Sequence, residues 1–79
     1  MNKENLVHKG YVQVGEEDYE VLVFLRQDGK HIAKTFFGNE DVIINDGPSL
    51  EEALDKHQRL LPLAIDSRRI VEDFRHRSV

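Results

Sequence analysis

Residues 19–37 read YEVLVFLRQDGKHIAKTFF, and this stretch decides the fold. The unbroken apolar run at residues 21–25 is typical of a central strand that is covered on both sides. Asp28-Gly29 then separates this run from a second strand-like segment at residues 30–37. An Asp-Gly pair in this position predicts a β-hairpin, because a type I′ turn needs positive φ at both central residues.

The length of this turn determines which side chains share a face of the sheet. A two-residue turn would place Leu25 opposite Ile32. One face would then carry Val21, Val23, Leu25, Ile32 and Phe36. The other face would carry Leu22, Phe24, Ala33 and Phe37. Both faces are substantially apolar, so we expect each to be covered, either by the C-terminal part of the chain or by a second copy.

Further strands are predicted on both sides of this hairpin. Residues 6–14 are rich in β-branched and aromatic residues and predict a strand before it. A four-residue loop at residues 15–18 would put Val12 on the face that carries Val21. Residues 42–44 form a short apolar run, which predicts a fourth strand at the edge of the sheet.

A helix is predicted after the turn residues NDGP at 45–48. Ser49 followed by Glu52 has the spacing of a capping box, in which the hydroxyl and the carboxylate each accept from the other residue's amide. Apolar residues then recur at helical spacing as far as Leu61. Pro62 cannot donate to the preceding turn, so we expect a break or kink there, or the start of a second helix.

The predicted fold class is therefore α+β: a three- or four-stranded antiparallel meander followed by one or two C-terminal helices. The sequence predicts one small domain over residues 1–79, with frayed ends at about 1–4 and 76–79. A second helix would carry an apolar stripe of Ile70, Val71 and Phe74.

Composition excludes several classes of function. The chain has 79 residues, with 11 Lys and Arg against 15 Asp and Glu, and a net charge of -4. This balance disfavours the broad basic footprint of a nucleic-acid-binding protein and attraction to anionic membranes. There is no Cys, which excludes disulfides and thiolate metal sites. We expect no membrane partner and, from the absence of a signal-like start, a cytoplasmic protein.

No set of residues in the sequence suggests catalysis. The four histidines lack the short spacing of metal ligands, so neither a metal nor a cofactor is predicted. Ser49 is already explained as a helix cap, and the chain has neither a nucleophile elbow nor a glycine-rich phosphate loop. We therefore expect a non-catalytic protein.

Charge is unevenly distributed along the chain. Residues 40–55 contain six acidic residues and no Lys or Arg, whereas the C-terminal segment is basic. Our main hypothesis is a small interaction module that binds a protein partner or itself. Binding to itself would give a homodimer. Its predicted contact residues are Arg68, Arg69, Arg75, Leu22, Phe24 and Phe37.

A resemblance supports an alternative. Residues 47–54, GPSLEEAL, resemble the turn-and-helix entry of HicB-type antitoxins, in which a small sheet also precedes the helix. The order of strands and helix is similar to the three-strand-plus-helix DNA readers of integrase arms. These resemblances imply a nucleic-acid-binding regulator, although the net charge disfavours one. Its contact residues would be Arg26, Lys30 and Lys34.

Overall fold

The computed structural model describes residues 3–37 and 41–77, with side-chain surroundings described as far as Ile70. Four strands form one antiparallel sheet in the order β1-β2-β3-β4, and one helix packs against it. The elements are β1 (Glu4–Val14), β2 (Glu17–Arg26), β3 (His31–Phe37), β4 (Asp41–Gly47) and α1 (Leu50–Arg77). The predicted α+β meander is confirmed, with four strands and a single helix.

The predicted fraying at the chain ends can be compared with the structure only in part. Residues 1, 2, 78 and 79 lie outside the described residues. Glu4 is the first residue of β1 and pairs with Arg26.

The β1–β2 hairpin turns more tightly than predicted. Val14 pairs with Glu17, so the loop has two residues rather than four. Gly15 has a φ of 64°, and positive φ at the first turn residue alone is the pattern of a type II′ turn. The pairing of β1 with β2 therefore differs from the predicted pairing by two residues. Because side chains alternate between faces, Val12 still lies on the same face as Val21. A β-bulge interrupts β1 between Leu6 and His8.

The pairing of β2 with β3 differs from the predicted pairing by one residue: Leu25 lies opposite His31 rather than Ile32. Arg26 pairs with Lys30 through a 2.9 Å backbone hydrogen bond, so the loop has three residues. Only Gly29 has a positive φ, of 90°, whereas the predicted type I′ turn would have forced Asp28 into that region as well. The Asp28 carboxylate instead accepts from the Lys30 amide at 3.1 Å and from the Arg26 guanidinium. The hydrogen bonds from Arg26, followed by that from Lys30, lower the pKa of Asp28 to about 2.

The one-residue shift moves every β3 side chain to the opposite face. Ala33 lies opposite Val23, and Ala33 and Thr35 are buried beneath the helix. Ile32 and Phe36 lie on the side of the sheet away from α1, contrary to the predicted assignment. The reason is steric: small side chains on β3 let α1 approach the sheet closely.

β4 is longer than the short apolar run suggested. Asn45, Asp46 and Gly47, which were interpreted as turn residues, continue β4 and pair with Ala33, Ile32 and His31. Lys56 on the helix also donates to the Asp46 carbonyl oxygen at 3.2 Å. Cross-strand pairing and a helix contact therefore override the local turn preference of these residues.

The helix begins as predicted but does not break. The Glu52 amide donates to the Ser49 hydroxyl at 3.2 Å, which confirms the hydroxyl half of the capping box. α1 then continues through Pro62 to Arg77. An interior proline costs about 3 kcal/mol, but Leu61 and Ile65 on either side are buried, and each buried side chain contributes about 1.5–3 kcal/mol.

Ile70 is the one member of the apolar stripe predicted beyond Pro62 whose side-chain surroundings are described, and it does not face the core. Ile70 is 67% exposed. The side chains of Val71 and Phe74 lie outside the part of the chain whose side-chain surroundings are described. Since α1 is continuous, the segment after Pro62 does not fold back over the far side of the sheet.

The core lies between one face of the sheet and the helix stripe of Ala53, His57, Leu61 and Ile65, which recurs every four residues. Val21, Val23, Ala33 and Ala53 form its buried apolar cluster. The contact between the end of β4 and the helix is especially close. A Cβ atom built on Gly47 would lie 2.8 Å from the Ala53 amide nitrogen and 3.1 Å from its Cα.

Gly47→Ala tests this close contact. Because the new methyl group would meet backbone atoms that cannot rotate away, we expect a loss of about 1–3 kcal/mol in the free energy of unfolding, measured by urea denaturation. Gly10→Ala is the matched control, since its Cβ would meet only the movable His8 side chain, at 3.2 Å. Equal stability losses in the two variants would contradict the proposed close packing.

Candidate interaction surface

The sheet has one face covered by α1 and one face that is not. Side chains alternate between faces along each strand, so the pairing register assigns every residue to a side. We call the side away from α1 the open face. Its apolar members number two on each strand: Leu6, Tyr11, Leu22, Phe24, Ile32, Phe36, Val42 and Ile44.

Four of these side chains are largely exposed to solvent. Leu6 is 54% exposed, Tyr11 66%, Phe36 58% and Ile44 55%. Within the described residues, no element packs over them. Exposed apolar side chains are ordinary when scattered, but a set collected on one uncovered sheet is typical of an interaction site.

Charged side chains of the open face are engaged with each other. Lys34 lies over the Phe24 ring, with its Nζ 4.9 Å from the ring centroid and 3.2 Å from a Glu4 carboxylate oxygen. Lys9 Nζ lies 3.3 Å from the Glu20 carboxylate. These contacts bury part of Phe24 and leave the face with both signs of charge closely interspersed.

The residues considered for nucleic-acid binding do not form a free basic patch. Arg26 and Lys34 lie on the open face, but Arg26 is bound to Asp28 and Lys34 to Glu4. Lys30, beside the β2–β3 loop, is 4.0 Å from the Asp46 carboxylate. Each cation thus has an acidic neighbour that reduces the positive potential available to a phosphate.

Arg68, predicted as a partner contact, instead ties α1 to the sheet. Its Nη2 donates to Asp41 at 2.6 Å, its Nε donates to the other carboxylate oxygen, and its Nη1 donates to the Ala64 carbonyl oxygen at 3.1 Å. The guanidinium also lies 4.9 Å from the centroid of the Phe37 ring. The hydrogen bonds from Arg68 lower the pKa of Asp41, and the same bonds raise that of Arg68.

The other predicted contact residues do not form a single surface. Leu22 and Phe24 are half-buried on the open face. Phe37 lies on the helix side, where its ring centroid is 5.5 Å from that of Tyr19. Arg69 is exposed on the helix, and the Arg75 side chain lies outside the described surroundings. Sequence reasoning missed Tyr11, Phe36 and Ile44 as contact residues, and the β3 register was needed to place Phe36 and Ile44 on the open face.

A polar network is buried beneath the helix. His57 is fully buried, with Nε2 2.7 Å from Thr35 Oγ1 and Nδ1 2.7 Å from Asn45 Nδ2. The Thr35 hydroxyl donates its one proton to the Glu20 carbonyl oxygen at 2.8 Å, so it must accept from His57 Nε2. Nδ1 then accepts from the Asn45 amide, which requires a neutral imidazole. Burial lowers the pKa of His57, in agreement with this arrangement.

Two of the serines considered as nucleophiles also have structural roles. Ser49 caps α1, and Ser67 donates to the Leu63 carbonyl oxygen at 3.0 Å. Among the described residues, no three His, Asp or Glu side chains converge to hold a metal ion. In that part of the chain, α1 is also too polar to cross a membrane.

Comparison with known proteins gives no relative: no protein family, no characterised protein and no solved structure matches the chain.

Arg68→Ala tests the assignment of this residue to the fold. Because the variant removes the two hydrogen bonds to Asp41 and the contact with the Phe37 ring, we expect a lower urea midpoint than in the wild type. Arg59→Ala is the matched control, because Arg59 lies on the same helix in an exposed ion pair with Asp55, and it should leave the midpoint nearly unchanged. An unchanged urea midpoint for Arg68→Ala would show that the hydrogen bonds between Arg68 and Asp41 contribute nothing to packing of the helix on the sheet.

Protonation of His57 should destabilise the fold. The pKa of His57 is lowered in the folded state relative to the ordinary 6.5, so below about pH 6.5 the unfolded chain binds a proton that the folded chain does not. We expect the free energy of unfolding to fall as the pH drops from 6.5 towards 5. The measurement is urea denaturation at a series of pH values.

Two variants separate His57 from the other histidines. His57→Leu should flatten this pH dependence, whereas His8→Gln should keep it. The same slope in wild type and His57→Leu would rule out His57 as its source.

Proposed function

We propose that this protein is a non-catalytic interaction module that binds another protein chain through the open face of its sheet. The observation that carries this proposal is the set of four exposed apolar side chains, Leu6, Tyr11, Phe36 and Ile44, on a face that α1 leaves uncovered. The cytoplasmic location expected from the sequence belongs to the same proposal.

Energetics favour a protein partner. Complete burial of one large apolar side chain contributes about 1.5–3 kcal/mol, so covering this face offers several kcal/mol towards association. Tyrosine is also enriched among the residues that dominate protein–protein binding energies, which draws attention to Tyr11. On the central strand β2, the half-buried Phe24 lies between Leu6 and Ile32, whereas Leu22 lies between Lys9 and Lys34.

The buried chemistry supports a non-catalytic role. His57 is fully buried, and both of its ring nitrogens have hydrogen-bond partners. The Thr35 hydroxyl is committed to the Glu20 carbonyl oxygen. A general base or nucleophile must reach a substrate, and these two groups instead hold the helix on the sheet.

A nucleic-acid-binding regulator is the alternative. Arg26 and Lys34 lie on the open face, as such a role would need, but their acidic neighbours and the net charge of -4 weigh against it. Binding to phosphates would weaken steeply as salt is added, whereas an apolar protein interface would not.

Pull-down from native lysate, with and without nuclease, tests the proposal. The bait is the wild-type chain, Phe36→Asp or Leu63→Asp. Phe36 and Leu63 are 58% and 63% exposed, but only Phe36 lies on the open face. Because a charge within an apolar contact is costly to bury, we expect the partner to be lost only with Phe36→Asp.

Two outcomes would contradict the proposal. Recovery that depends on intact nucleic acid would favour the regulator. Equal recovery with Phe36→Asp and wild type would remove the open face from the interaction. Circular dichroism of both variants checks that each remains folded.

A further inference from the structure

We propose that the partner of the open face is a second copy of this chain, so that two sheets stack face to face about a two-fold axis. This inference rests on the proposed function and specifies its partner. It follows from the charge, the symmetry and the area of the open face.

Charge balance distinguishes the open face from the chain as a whole. The chain carries a net charge of -4, so two copies repel each other at most orientations. On the open face, however, Lys9 is paired with Glu20 and Lys34 with Glu4. With Arg26, Asp18 and Asp46 included, the open face carries four acidic and three basic side chains, so two such faces meet with only a small excess of negative charge. A strongly acidic or basic partner would find no matching excess there.

The distribution of apolar residues suits a two-fold arrangement. In a two-fold dimer the same patch is used by both copies, so it must be complementary to itself. The open face carries two apolar side chains on each of its four strands, of which Ile32 is already buried within the single chain. A rotation that exchanges β1 with β4 and β2 with β3 therefore places every apolar strand over another apolar strand.

The area of the face is sufficient for a weak dimer. Strands about 4.8 Å apart, with a rise of about 3.4 Å per residue, give a face of about 550 Å² for four strands of 7 to 11 residues. Two copies would bury about 1,100 Å², just above the roughly 1,000 Å² expected of a specific interface. We therefore expect association in the micromolar range rather than an obligate dimer.

A second exposed apolar set provides the competing contact. Leu60, Leu63 and Ile70 form a row along α1, and all three are exposed. They occupy one narrow stripe of a helix, whereas the open face spans four strands. Charged substitutions in the two sets therefore identify which surface associates.

Sedimentation velocity of the purified chain, over a micromolar concentration series, tests the inference directly. We expect a concentration-dependent dimer that Leu63→Asp preserves and that Phe36→Asp weakens by more than about tenfold, equivalent to about 1.4 kcal/mol. Urea midpoints of both variants confirm folding. A wild type that stays monomeric throughout the series would overturn the inference, and so would a dimer that only Leu63→Asp dissociates.

Cross-linking tests the face-to-face geometry. The chain has no cysteine, so a single Cys reports on one position. The greatest overlap of two identical faces puts the axis near Leu22, in the middle of the open face. Stacked sheets lie about 10 Å apart, so a bismaleimide of that span should join two copies of Leu22→Cys but not of Leu63→Cys. Absence of a Leu22→Cys product in a dimeric sample would overturn the geometry.

Failure of this inference can be distinguished from failure of the proposed function. If the purified chain is monomeric but Phe36→Asp still abolishes capture of a different protein, the interaction module stands and the self-association falls. If Phe36→Asp changes neither the dimerisation nor the capture of a partner, both the self-association and the proposed interaction through the open face are wrong.

Discussion

The three-residue bend between β2 and β3 is the constraint on which the rest of the structure depends. Positive φ falls on Gly29 alone, while the Asp28 carboxylate holds the bend through Arg26 and the Lys30 amide. This length sends Ala33 towards the helix and Phe36 away from it. A bend one residue shorter would exchange the two faces of β3, so both the core beneath α1 and the uncovered surface follow from this one local choice.

Close approach of the helix follows from the same choice. With Ala33 on the sheet and Ala53 on the helix, both fully buried, little side-chain volume separates the two layers. His57 then lies within hydrogen-bonding distance of Thr35 on β3 and Asn45 on β4. Because both nitrogens of this buried imidazole have partners on the sheet, the hydrogen bonds fix the position of α1 on the sheet more closely than the packing of small apolar residues alone would.

Much of the fold was predictable, because local signals agree with the final structure. The strands, the Ser49 cap and the helix stripe through His57 follow from residue spacing. The β3 register did not, since Asp-Gly suits both two- and three-residue bends. Continuity through Pro62 depends on tertiary burial of its neighbours, which spacing cannot show. The candidate surface was only half predictable: Leu22 and Phe24 were identified, but Phe36 joined them only once the bend was known.

The bulge in β1 between Leu6 and His8 has a consequence for how copies of this chain can assemble. β1 lies at the edge of the sheet, and an unpaired edge can recruit further strands into an open-ended cross-β polymer. A bulge interrupts the ladder and increases the local twist, which makes a flat continuation of the sheet unfavourable. The bulge thus disfavours growth along the β1 edge, whereas the face-to-face stacking that we propose would close after two copies.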